Sequence, residues 1–240
     1  MSTNYYGSDS GQDGNPQNPC ATDPQFYIGK IGENLTIGDF GHFNYTLAHN
    51  LLNTPGNKVY GYWFVHGPLD SKAQNYATPY DYGRAQGLKA KQARDQFAQN
   101  GHLNGLTLFA DIEHHSTWSS SDFAANQAVI NGFLSAYNYA GPYSAPCAWQ
   151  DITGSVEWRP DLPANWAGSA WTYQYNYGSQ DPGCIDGNWS NWEYNAPCGS
   201  TKKVMQGFGG FAPAIWQYAI DVSVGGGRLC DWDIAWVLPE

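Results

Sequence analysis

Short β-prone runs alternate with helical stretches through the first two thirds of the chain, and most of the runs end in an acid, a histidine or an aromatic residue. Tyr5 to Asp9, Phe26 to Ile31, Lys58 to His66 and Leu106 to Glu113 read as strands. Between them, Phe43 to Leu52 and Arg84 to Asn100 read as helices; on the second, Ala85, Leu88, Ala93 and Phe97 share roughly one face and Gly101 is the stop. A serine-rich cap at Trp118 to Asp122 opens a third helix, marked by Phe123, Ile130, Phe133, Leu134 and Tyr137 and closed by Gly141-Pro142. Strand–helix alternation of this kind builds a parallel sheet with helices on its faces. No Gly-x-Gly-x-x-Gly follows a strand and no phosphate loop is present, which removes a dinucleotide-binding fold.

The positions of the polar residues narrow the fold further. Asp9, Glu33, His66, Asp111, Glu113, Tyr175, Tyr218, Asp231 and Asp233 all fall at the ends of expected strands. A (β/α) barrel gathers its reactive groups at the C-terminal ends of its strands. The expected fold class is therefore α/β, a modified (β/α) TIM-like barrel, with residues 1–240 forming a single domain. Later strands are expected at Tyr143-Ser144, Ala170 to Tyr175, Ala214 to Tyr218 and Cys230 to Trp236. Residues 178–200, rich in Gly, Asn and Trp, are expected to form a loop.

Asp111-Ile-Glu113 ends the most apolar of these strands. Residues two apart on an extended strand face the same way, with Cα atoms roughly 6.5–7 Å apart. Ile112 then points to a packing layer and both acids to the other side. Two carboxyls so close in a low dielectric cannot both ionise cheaply. Glycoside hydrolysis uses that arrangement, one carboxyl held as an acid and the other as an anion. The plainer alternative is a structural network with Lys30 or Arg84. Asp9 is equally readable as a turn acid, and Asp231 and Asp233 as loop carboxylates.

Composition excludes several classes of partner. With 11 Lys and Arg against 21 Asp and Glu, the formal charge is −10, the wrong sign for nucleic acid. No apolar run is long enough for a membrane span. The 11 Trp, 17 Tyr and 10 Phe suit stacking on sugar rings, and equally suit a large aromatic core. Five cysteines, Cys20, Cys147, Cys184, Cys198 and Cys230, show no metal-finger spacing, so no metal or other cofactor is expected. Cys184 and Cys198 flank the Gly/Asn/Trp loop and would suit a local disulfide. Sequons at Asn34, Asn44 and Asn188 would permit glycosylation. Together these features favour a secreted, extracellular protein, expected to be a monomer. The neighbouring His114 and His115 would point opposite ways on an extended strand, which disfavours a metal site with Asp111.

Several segments, in order, resemble the CH-type lysozymes, glycoside hydrolase family 25. Phe26-Tyr-Ile-Gly-Lys-Ile-Gly-Glu33 is similar to that family's second strand, and Gly61-Tyr-Trp-Phe-Val-His66 to its third. Asp111-Ile-Glu113 matches its Asp-x-Glu motif. Tyr143-Ser144, Trp171-Thr-Tyr-Gln-Tyr175, Trp216-Gln217-Tyr218 and Asp231-Trp-Asp233 resemble its later motifs. Three departures stand out. Gly7-Ser-Asp9 replaces a Gly-x-Asp-x-Ser strand, loop 176–210 is longer and carries two cysteines, and Ala235 stands where Asn is common.

The resemblance implies a barrel that cleaves the β-1,4 bond between N-acetylmuramic acid and N-acetylglucosamine in peptidoglycan. It makes Glu113 the general acid. Asp111 would orient and charge-stabilise the reacting N-acetyl group or a developing cation, and Asp9 and Asp233 would line the cleft. Carboxyls this close favour retention of configuration. Tyr62, Phe64, His66, Tyr143, Tyr175, Trp216, Tyr218 and Asp231 are the expected substrate-binding residues, with Tyr175 and Trp216 foremost as sugar platforms. His66 has a plainer role open to it, satisfying a buried carboxylate. The alternatives are the same barrel acting on another cell-wall polysaccharide, a catalytically silent glycan-binding domain, and a metal-dependent hydrolase.

Overall fold

The computed structural model describes residues 5–10, 24–38, 43–99, 106–136, 141–162, 168–173, 193–195, 202–204, 207–223 and 229–239. In chain order these form β1 (Tyr5–Ser10), β2 (Phe26–Glu33), β3 (Thr36–Ile37), α1 (Tyr45–Leu52), β4 (Lys58–Phe64), α2 (Pro79–Gln99), β5 (Thr107–Asp111) and α3 (Phe123–Ser135). They continue with β6 (Gly141–Ser144), α4 (Pro146–Thr153), β7 (Ser169–Tyr173), β8 (Glu193–Asn195), β9 (Lys202–Val204), β10 (Ala212–Ser223) and β11 (Leu229–Ala235).

Eight strands close on themselves in the order β1-β2-β4-β5-β6-β7-β10-β11, so the expected barrel is present. From β1 round to β10 every pair is parallel. Strand β11 is antiparallel to both β10 and β1 and seals the gap between them. Strand β3 folds back on β2 as a hairpin, and β8 pairs with β9.

Two apolar layers follow from the alternation of side chains along each strand. One fills the barrel: Phe26, Ile28, Tyr60, Tyr62, Phe109, Tyr143, Trp171 and Ile215 pack together. The other lies between barrel and helices and includes Trp63, Leu108, Ala110, Ile112, Phe97, Ile130, Phe133 and Trp149. Strand β5 shows both, with Phe109 inward and Leu108 and Ala110 outward. The strand itself ends at Asp111, short of the expected Glu113. The Ile112 N–H still donates to the Tyr143 carbonyl at 2.9 Å, so the course of the chain carries on past the strand end.

Helix α2 begins at Pro79, before the expected Arg84. Thr78 caps it, its hydroxyl accepting from the Asp81 N–H and donating to the Asp81 carboxylate. Its buried face runs through Tyr82, Gln86, Ala90, Ala93 and Phe97, and the expected face member Leu88 is 43% exposed. Two glycines let α2 meet α3 at backbone distance. A methyl on Gly83 would sit 2.0 Å from the Val129 carbonyl oxygen, and one on Gly132 would sit 2.1 Å from that of Tyr80.

Two of the sequons are structural. Asn34 turns the β2–β3 hairpin at φ +52° and is 5% exposed. Its Oδ1 accepts from the Tyr82 hydroxyl at 2.8 Å, and its Nδ2 donates to Asp70 at 3.1 Å. Asn44 caps α1, its side chain accepting from the Leu47 N–H. Asn188, Cys184 and Cys198 lie outside the described residues. Cys147, on α4, forms no disulfide.

Candidate active site

The mouth of the barrel is lined from eight strands. Inward-facing positions at the C-terminal ends of the parallel strands carry Asp9 on β1, Lys30 on β2, Phe64 on β4, Asp111 on β5, Tyr143 on β6, Tyr173 on β7 and Gln217 on β10. Because β11 runs the other way, its first half faces the same end. The register sets Asp231 opposite Asp9 and Asp233 opposite Gly7, one step deeper.

Gln217 ties one side of the mouth together. Its Nε2 donates to Asp9 Oδ1 at 2.8 Å and to Asp231 Oδ2 at 3.2 Å, while its Oε1 accepts from the Tyr143 hydroxyl at 2.7 Å. Below it, the Trp171 indole N–H donates to Asp233 Oδ1 at 2.9 Å. The carboxyls of Asp9 and Asp233 are close enough for each to act on the other. Burial raises both well above the usual carboxylate range, and the Asp233 charge raises Asp9 further.

Across the mouth stand Asp111 and Glu113. Asp111 is 3% exposed, and its Oδ1 has no hydrogen-bond partner among the described residues. Burial raises it well above the ordinary range, Glu113 adds to that, and Lys30 opposes it. Glu113 is half-buried; burial raises it too, against the pull of Lys30 and His114. Lys30 is held in place by Glu33 at 2.7 Å and lies 5.4 Å from the centre of the Phe64 ring. Tyr62 sits within the field of Asp111, Asp9, Asp231 and Glu113. Burial and those charges keep its phenol protonated, a donor.

The expected acids thus converge on one cleft, and Tyr62, Phe64 and Tyr143 face it. Two expected contacts do not. Trp216 and Tyr218, at 2% and 0% exposure, alternate with Gln217 and lie against each other on the opposite side of β10 from the mouth. Neither can be a sugar platform. His66 is engaged structurally: its Nδ1 lies 2.8 Å from Asp70, and its backbone N–H and carbonyl are both bonded to the Gln86 amide. Tyr175 lies outside the described residues. Arg84 is exposed on α2, so the basic partner of the acids is Lys30. His114 pairs with Asp151 and His115 with Thr117, rather than with Asp111. Gln217, Trp171 and Tyr173 escaped the list of expected contacts. Strand alternation was the available signal, since Gln217 shares its face with Ile215 and not with Trp216.

No family model and no curated protein matches the sequence. The fold does match solved structures. The catalytic domain of the endolysin ply40, from bacteriophage P40 of Listeria monocytogenes, superposes with a TM-score of 0.56 at 12% identity, over 98% of this chain and 94% of that one. The Clostridium perfringens spore cortex lytic enzyme SleM gives 0.60 at 12% identity, over 97% of this chain and 67% of that one. The modular autolysin LytC from Streptococcus pneumoniae gives 0.51 at 14%, over 96% of this chain and 46% of that one.

Proposed function

We propose that this chain is an outlying relative of the CH-type lysozymes, a secreted retaining glycoside hydrolase. Its proposed reaction is cleavage of the β-1,4 bond between N-acetylmuramic acid and N-acetylglucosamine in peptidoglycan. The observation that carries this reading is the meeting of Asp9, Asp111, Glu113 and Asp233 in one barrel mouth, where burial raises all four. The structures that share the fold support it, being an endolysin, a cortex lytic enzyme and an autolysin, the last also solved with a synthetic peptidoglycan ligand.

Glu113 is the proton donor to the leaving oxygen. Its raised pKa keeps it protonated into the range where most carboxyls have ionised. Asp111 is the charged partner, although burial alone favours its neutral form. A substrate resolves this tension. An acetamido N–H presented to the unpartnered Oδ1 stabilises the carboxylate, as does positive charge developing at the sugar ring. The proton then stays with Glu113. Asp9 and Asp233 complete the acidic lining of the cleft, and Gln217 fixes the position of Asp9. Tyr62 supplies a neutral donor.

The test is release of reducing ends from purified peptidoglycan. Wild-type protein should release them, and Glu113→Gln should be slower by about 10²–10⁴-fold with its fold intact. Activity should persist in chelator. Release from another glycan only would overturn the bond assignment, and no turnover on any wall glycan would leave a binding domain.

A further inference from the structure

A hollow of about 720 Å³ lies not over the carboxylates but beside them. Its lining includes His114, His115, Trp118, Phe123, Gln150 and Asp151. We propose that this hollow is a second sugar subsite, holding the same glycan strand further along from the bond that is cut; this rests on the reading of the mouth given above. The two histidines directly follow Glu113, so the hollow begins where the acid pair ends. Its volume falls within the span of small-ligand sites, about 300–1,000 Å³.

The lining selects the occupant. Phe123 opens α3 and remains 37% exposed. Its ring lies over Gly154, where an added methyl would come within 2.9 Å of it. Gly154 ends α4 at φ +83°, so the partly exposed ring rests on bare backbone. Around it are side chains that both donate and accept. His114 and Asp151 face each other at 3.0 Å and are 55% and 59% exposed, and Gln150 and three serines add hydroxyl and amide groups. Among the described residues no Lys or Arg lines the hollow. An aromatic face with neutral and paired polar groups fits a neutral sugar ring. An anionic stem peptide would require cations.

The test uses glycan strands stripped of their stem peptides, with a minimal tetrasaccharide as the short control. In a Glu113→Gln background, adding Phe123→Ala or Asp151→Ala should weaken binding of the long strands by about 5–10-fold, the scale of one aromatic contact. Tetrasaccharide affinity and melting temperature should not change. In the catalytic protein the same changes should raise KM on long strands by that factor and leave kcat alone. Equal affinity for long strands, or no binding of them, overturns the subsite. A defect seen only on strands that retain their peptides overturns it in favour of a peptide site. Weakened binding without any wild-type turnover keeps the subsite and overturns the reaction.

Discussion

Asp111 lies in surroundings unfavourable to its own charge, and that gives it a testable thermodynamic signature. Its pKa in the folded protein is raised by burial first and by Glu113 second. A raised carboxyl binds its proton more tightly folded than unfolded. Its stabilising contribution is therefore present below the ordinary carboxylate range and is lost as pH rises through the raised value. Glu33, Asp70 and Asp95 are shifted downward and act in the opposite sense, so the comparison has to be made within one site. Asp111→Asn should stabilise the protein by about 0.5–2 kcal/mol at about pH 7, and by much less near about pH 4, while lowering turnover. Thermal melts at the two pH values check this, and a lower melting temperature at neutral pH would mean the carboxylate is satisfied after all. Asp111 and Glu113 were legible because two acids end an apolar run. Gln217 was not, because attention to aromatics favours Trp216 and Tyr218, and one step along a strand exchanges the two faces of the sheet.

The helices were legible where their apolar stripe is long and obscure where small residues do the packing. On α2, Tyr82 and Phe97 mark the buried face, but much of the contact with α3 is made by Gly83 and Gly87, which carry no periodic apolar signal. That is why the expected face was drawn through Leu88, which is exposed. Helix α4 is eight residues long, too short for a stripe, though Pro146 at its start and Gly154 at its end are ordinary boundary signals. The glycine contact makes a prediction of its own. Gly83→Ala places a methyl 2.0 Å from the Val129 carbonyl and must push the two helices apart. The expected loss is about 1–3 kcal/mol, a fall of several degrees in Tm. The barrel mouth should be spared, so activity measured well below Tm should change little.

At the scale of the whole molecule, the barrel was legible from the order of its elements and from acids recurring at strand ends. The direction of β11 was not, because neither apolar content nor alternation says which way a strand runs. The overall charge of −10 also has a consequence for the proposed substrate. An acidic protein gains no long-range attraction to an anionic wall, and added salt can only screen repulsion. Initial rates on peptidoglycan should stay level or rise as salt is added. A steep fall would point instead to a cationic docking surface.

Strand β11 is also the last strand of the barrel to emerge during synthesis, and it is the one that joins β10 to β1. Until it arrives, Asp9 waits on an unsealed edge with neither Asp231 nor Asp233 beside it. Contacts between residues so distant in the chain are slow to form and come late in folding. A nascent chain could therefore hold Asp111 and Glu113 in place and still lack the opposite wall of the cleft. Completion of the acidic mouth and completion of the barrel are one event.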